Sequence, residues 1–235
     1  EFGNRLLTFV LLITALAAVI FSIRYSKNVL NKTRIRTLAL LQVLGILGQG
    51  VLGGITVLTD LHPLPVAGHF LLSIFLISGA ISLRYELVGV VKEEAVGILK
   101  PILPLLIWLT LFVLIAGTIV TGSGPHAGDE QAKRFGFDPR FVSWLHADLV
   151  IALLVLTGML FLITRQSQLK VINKRIGLFL LICLAQGLVG YVQYFTGLPV
   201  VLVAIHLLGA TLVWVSAWSL IKVADSGFKL KGFHL

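Results

Sequence analysis

The chain is a succession of long apolar runs separated by short stretches of charge, proline and glycine. The runs fall at Leu6 to Ile23, Thr37 to Leu58, Leu64 to Leu83, Leu103 to Thr121, Val142 to Thr164, Ile176 to Thr196 and Val200 to Ile221. Each approaches the roughly 20 residues that a helix needs to cross a hydrocarbon core about 30 Å thick. The pattern predicts an all-α polytopic membrane protein with seven transmembrane helices.

Composition agrees with the pattern. Of the 235 residues, 57% are hydrophobic and 12% charged, and the mean hydropathy is +1.01, against about a quarter charged in soluble domains. Peripheral attachment and a large soluble domain are excluded. The single cysteine, Cys183, leaves no internal disulfide framework and no cysteine-ligated cluster. The formal charge of +9 would suggest nucleic acid as the partner of a soluble protein, but here it reports topology. Arg24, Lys27, Lys32, Arg34 and Arg36, then Arg84, Lys92 and Lys100, then Arg165, Lys170, Lys174 and Arg175, and finally Lys222, Lys229 and Lys231 are 15 of the 19 cations. All lie on alternate connections, which the positive-inside rule assigns to the cytoplasm. The turns at Asp60 to Pro63 and Gly197 to Pro199, and the loop from Gly122 to Phe141, then face outward, and the C-terminus is cytoplasmic.

The sequence repeats internally. Gly48-Gln-Gly-Val-Leu-Gly53, Thr59 and His69-Phe-Leu-Leu72 align without a gap on Ala185-Gln-Gly-Leu-Val-Gly190, Thr196 and His206-Leu-Leu-Gly209, each pair 137 positions apart. Helices two and three therefore recur as helices six and seven. At an offset of 142, Glu1 to Asn4 falls on Ser143 to His146. The expected organisation is an N-terminal half-bundle over residues 1–100 and a C-terminal four-helix bundle over 101–235. The second half shows four spans and the first three, so the expectation is two pseudo-repeated four-helix bundles, eight helices in all, the first helix and its outer loop preceding Glu1.

Six histidines carry the chemical signal. His69, His146 and His206 each lie a few residues inside the outer end of a span, at a common depth of roughly 6 to 10 Å. Ionisable groups inside a span are costly and face the bundle interior with a partner, and neutral imidazole is a common haem-iron ligand. His146 and His206 lie on two helices of one four-helix unit, an arrangement that clamps a flat cofactor in a bundle core. The reading is a bis-His haem at His146 and His206, with His69 as its counterpart in the first half; interhelical hydrogen bonding is the competing account. Asn4 stands where the second half has His146, so iron in the first half would be held from one side or by another group. His62, His126 and His234 read as solvated.

Neighbouring residues are less decisive. Glu1 and Arg5 form an i,i+4 pair, or Glu1 acts as base or electrostatic stabiliser beside a substrate iron. Arg5 and Arg140 are outer-side cations suited to haem propionates or to snorkelling. Asp148 suggests a hydrogen bond to a neighbouring helix, as do Gln49 and Gln186. Gly45, Gly48, Gly53, Gly187 and Gly190 mark close helix packing or room for a porphyrin.

Taken in order, Glu1-Phe-Gly-Asn-Arg-Leu-Leu-Thr8, Gly50-Val-Leu-Gly-Gly-Ile-Thr56, His69-Phe-Leu-Leu-Ser73, Val120-Thr-Gly-Ser-Gly-Pro-His-Ala-Gly-Asp129, Leu145-His-Ala-Asp148 and Gln186-Gly-Leu-Val-Gly-Tyr191 through His206 resemble the haem A synthase family, actinobacterial members above all. The resemblance implies an oxidoreductase that converts a methyl group of haem O to the formyl group of haem A for cytochrome oxidase. It implies a haem b cofactor held by His146 and His206, and substrate haem O received in the first half by His69, Asn4 and Arg5, with Glu1 as the catalytic carboxylate. Asn4 departs from the family's usual histidine. The implied setting is the bacterial cell membrane, with haem sites toward the outer side, haem O synthase and cytochrome oxidase assembly as partners, and no nucleic acid. The electron donor or acceptor and any homo-oligomer stay open. Two other readings share the histidine pattern: a di-haem membrane cytochrome b that leaves its haem unmodified, and a duplicated transporter without a cofactor.

Overall fold

A computed structural model describes residues 2–25, 31–125 and 132–225, with side chains excluded at residues 2–5, 25 and 225. Seven helices follow one another: α1 (Phe2–Tyr25), α2 (Lys32–Leu58), α3 (Pro63–Val88), α4 (Leu99–Ser123), α5 (Pro139–Arg165), α6 (Lys170–Phe195) and α7 (Val200–Val223). All seven are long and apolar enough to cross a membrane, and the protein is an all-α polytopic membrane protein. Among the described residues there is also a pair of two-residue strands, β1 (Glu93–Glu94) and β2 (Ala224–Asp225), joined in parallel at the cation-rich end.

The helices outrun the apolar runs, mostly toward the cation-rich end. α2 begins at Lys32, α3 continues to Val88, α4 begins at Leu99 and α6 at Lys170. A run of apolar residues stops at the first charge, but a helix need not. Arg and Lys reach the interface along their alkyl stems while the backbone stays hydrogen-bonded. Within α6 the N-terminus is capped from far away. Both carboxylate oxygens of Glu93 accept backbone N–H groups, from Val171 at 3.0 Å and Ile172 at 2.9 Å, supplying an anion where the helix dipole favours one.

The repeat is kept in backbone detail. In the turn after α2, Asp60 and Leu61 have φ of 51° and 56°, and in the turn after α6, Gly197 and Leu198 have 78° and 59°. Each turn ends its helix with matching bonds, Leu61 N–H to Thr56 O at 2.9 Å and Leu198 N–H to Gln193 O at 2.8 Å. Thr59 and Thr196 both return their hydroxyls to the carbonyl four residues back, at 2.8 and 2.7 Å. Left-handed backbone at an aspartate and two leucines is unfavourable locally. It is retained because a two-residue reversal of direction is what lets α2 lie against α3 and α6 against α7.

In the second half α4, α5, α6 and α7 pack in a closed ring, while α1 packs on α2, α2 on α3, and α3 on both α4 and α7. The junction between halves carries a polar ladder. Trp214 Nε1 donates to Ser78 Oγ at 2.8 Å and Trp218 Nε1 to Ser82 Oγ at 3.1 Å. Both serines spend their own hydrogen on a carbonyl one turn back, which leaves their lone pairs for the indoles. The two rings stack at 5.7 Å. Helices in lipid associate through close packing and such bonds rather than through hydrophobic exclusion. Large apolar side chains on the outer faces, Phe9, Ile13, Leu181 and Leu188 among them, are more than half exposed, the surface expected of lipid contact.

Candidate functional site

His69, His146 and His206 occupy equivalent heights. They lie six, seven and six residues past the first residues of their helices, Pro63, Pro139 and Val200, about 9 to 10 Å along the axis at 1.5 Å per residue. Pro63 and Pro139 open their helices after side-chain caps from His62 and Asp138, and proline is suited to a first turn that needs no N–H partner. These caps fix where His69 and His146 sit.

Within the second half, His146 of α5 and His206 of α7 stand at one height on two helices of the closed four-helix ring. Each ring lies on a glycine of a neighbouring helix. A Cβ placed on Gly117 of α4 would stand 3.3 Å from His146 Cε1, and one on Gly190 of α6 would stand 3.1 Å from His206 Cε1. Any larger residue would push the imidazoles aside. Gln186 then fixes the turn of α7 that carries the ligand candidate, donating to the backbone carbonyl of His206 at 2.6 Å, and Gly209 leaves the space its amide occupies. The first half repeats this device. Gln49 donates to the His69 carbonyl at 3.1 Å and to Ser73 Oγ at 2.7 Å, and Gly53 faces His69 Nε2.

Three features fit these residues to an iron porphyrin. The Nδ1 atom of His206 is buried without a hydrogen bond, a costly state for a polar atom in an apolar bundle. The tightly buried core of the second half runs through Leu103, Leu106, Val113, Leu153, Leu160, Ile176, Phe179, Cys183, Val213 and Leu220. It ends at Val113, Leu153, Cys183 and Val213, four to seven residues short of Gly117, His146, Gly190 and His206. Finally, no three His, Cys, Asp or Glu side chains gather among the described residues. Two imidazoles alone suit a metal that arrives with four donors of its own.

The remaining candidates are distributed as follows. Glu1 lies outside the described residues, as do His126 and His234. Asn4 and Arg5 belong to the first turns of α1, their side chains outside the description. Asp148 is exposed and makes no hydrogen bond to the described residues, so the expected bond to a neighbouring helix is not formed there. It follows His146 by two positions and points to a different face. Arg140 is exposed. Gly45 and Gly48 pack on Leu76 and Leu72 as expected of small faces, while Gly187 has no neighbour within 4 Å of an added Cβ. Two residues escaped the sequence reading. Gly117 sits on α4, which has no repeat partner to flag it. Gln193, three residues past Gly190, keeps a buried Oε1 without a partner.

One substitution tests this seating. Gly190→Val is expected to lower haem retained per purified protein at least about tenfold, because the 3.1 Å approach leaves no room for a branched side chain. Gly158→Val, on α5 with nothing within 4 Å of the added Cβ, should leave haem content unchanged. Equal haem in both variants would contradict the seating of His206 on Gly190.

Fold and site together define a helical membrane protein whose duplicated helix pairs each carry a histidine at the same depth. The family model of the cytochrome oxidase assembly proteins, COX15-CtaA, matches residues 1–218. The chain belongs to this family and so has a role in cytochrome oxidase assembly. No curated protein and no solved structure matches the chain.

Proposed function

We propose that the protein is a haem A synthase, oxidising a methyl group of haem O to the formyl group of haem A. The observation that supports this reading is the seating of His146 on Gly117 and of His206 on Gly190 at one height in the second half, in a chain of the cytochrome oxidase assembly family. In this proposal His146 and His206 would hold a haem b. When bound, haem b supplies a one-electron redox centre. Gln186 and Gly190 keep the His206 ring in place, and the core below the ligands excludes water.

Substrate haem O is received in the first half. His69, held by Gln49 on its carbonyl, takes one face of the substrate iron, and Arg5 pairs with a propionate. Asn4 is a weak ligand and leaves the opposite face to another group. With water as oxygen source, methyl plus one water gives formyl plus four protons and four electrons. Glu1 accepts protons or stabilises the charge that develops near the methyl group, and the four electrons leave one at a time through the second half to an external electron acceptor. The isoprenoid tail of haem O calls for a site opening to lipid, which a helical bundle provides. The cation-rich end faces the cytoplasm of the bacterial cell by the positive-inside rule, so the haem sites lie toward the outside, where haem O synthase delivers the substrate and cytochrome oxidase receives the product.

Expression of the full-length protein with a haem O source, followed by pigment extraction and chromatography, tests the reading. Haem A is the expected product. Haem b and unmodified haem O without haem A would contradict it and favour a di-haem cytochrome.

A further inference from the structure

A second constellation lies at the cation-rich end, far from the histidines, where the two halves meet. Glu86, near the end of α3, is the carboxylate at its centre and both its oxygens are engaged. Arg34 Nε of α2 approaches Oε1 at 3.1 Å, and Asn31 Nδ2 donates to Oε2 at 3.2 Å. Lys222 of α7 reaches the same place from the other half, its Nζ 5.3 Å from the centroid of the Trp218 ring. That ring is itself fixed by its bond to Ser82, so the ammonium is aimed rather than loose. On the parallel helices α7 and α3, Lys222 and Glu86 follow Trp218 and Ser82 by four residues each, the next rung after the Trp214–Ser78 and Trp218–Ser82 bonds, which sets Lys222 beside the Arg34–Glu86 pair, with Lys92 in the α3–α4 connection at the same end.

The charges do not balance. Arg34 and Asn31 already occupy the Glu86 carboxylate, and Glu93 and Glu94, next to Lys92 in the chain, are engaged by the N-terminus of α6 and by Lys100. Among the described residues the ion pairs are Arg34 with Glu86 and Lys100 with Glu94, so neither Lys222 nor Lys92 has an anionic partner. No described acceptor meets the terminal nitrogens of Arg34. Cations required only for topology would spread into water and stand apart. Here like charges converge from α2, α7 and the α3–α4 connection, which is unfavourable unless an anion joins them.

We propose that Arg34, Lys92 and Lys222 form a binding site for the phosphate of an anionic membrane lipid, seated where the halves join. A guanidinium fork with two ammonium groups is suited to phosphate oxygens, and basic recesses between helices on the cytoplasmic side are suited to lipid headgroups. Free phosphate shares the headgroup chemistry, but the surroundings favour a lipid. Leu87, Val88 and Val91, next to these cations in the chain, are 56%, 69% and 74% exposed and offer apolar surface to acyl chains. A lipid held there would bridge α2 and α7, bracing the junction that the Trp214 and Trp218 bonds already hold.

Binding of a fluorescent phosphatidylglycerol to the full-length protein in detergent, with a phosphatidylcholine analogue as reference, tests the site. Wild type should bind phosphatidylglycerol more tightly than phosphatidylcholine. Lys222→Gln should weaken that binding about fivefold, and adding Arg34→Gln about fivefold more, from the usual contribution of one cation near a membrane surface. Lys222→Arg should restore it, showing that charge and not folding was lost. Lys100→Gln, at the same end but paired with Glu94, should have no effect. Equal binding of the two lipids, or a monodisperse Lys222→Gln/Arg34→Gln variant that binds like wild type, would overturn the proposal. Displacement of the probe by inorganic phosphate well beyond that by chloride of equal ionic strength would overturn the assignment to a lipid.

Discussion

Alanine in place of either His146 or His206 is expected to abolish the low-spin haem spectrum of the purified protein. Iron gripped by two imidazoles is six-coordinate and low-spin. With one ligand removed, it is left five-coordinate or the haem is lost from the bundle. Both rings are seated on glycines, at 3.3 and 3.1 Å from the nearest added Cβ, so no alternative side chain stands ready to replace either. Haem per protein should fall at least about tenfold in each variant, with the remainder high-spin, comparable to the loss on altering a metal site's supporting groups. His62→Ala is the reference. His62 accepts a bond from Leu64 N–H at the start of α3, so its loss costs about 1 kcal/mol of helix capping and leaves the spectrum unchanged. Optical and electron paramagnetic resonance spectra of the three variants decide the matter. A spectrum unaltered by both His146→Ala and His206→Ala would remove these residues as ligands.

Glu1→Gln is expected to stop haem A formation while preserving the low-spin haem of the second half. Proton transfer by a positioned carboxylate contributes roughly 10²- to 10⁴-fold to rate, and the amide keeps the shape while removing the basic oxygen. Chromatography of extracted pigments should show haem A reduced by two orders of magnitude or more, with haem b at its wild-type ratio. Haem A at the wild-type level in Glu1→Gln would mean that Glu1 takes no part in the chemistry. Loss of both haems together would mean that its role is structural.

Much of this architecture is legible in the sequence because the duplication is. The 137-residue offset brought out Gln49 with Gln186, Gly53 with Gly190 and His69 with His206, and the structure turns these pairs into one device used twice, an amide on the histidine's carbonyl and a glycine against its ring. The offset could not reach Gly117, since α4 has no counterpart among the seven helices to mark it. Nor did the sequence reveal how the halves meet. In water a buried face stands out as an apolar stripe, but in lipid both the core and the outer surface are apolar, and Trp214 and Trp218 look like ordinary membrane aromatics until their N–H groups are seen on Ser78 and Ser82. The helices differ from the apolar runs in their limits for a related reason. Charge marks where hydrocarbon ends, whereas the hydrogen-bonded backbone of α2, α3, α4 and α6 carries on beyond it. The link from Glu93 to the start of α6 spans 78 residues and leaves no local trace at all.

In the proposed site imidazoles from α5 and α7 share one iron. Near-infrared magnetic circular dichroism of the oxidised full-length protein reads the ligand pair directly, because the charge-transfer band of low-spin ferric haem moves with the chemical nature of its two axial ligands. A band at the position of two neutral imidazoles is expected in wild type, and its absence in His206→Ala. A band belonging to any other ligand pair, or an imidazole pair that survives in His206→Ala, would contradict the proposed site.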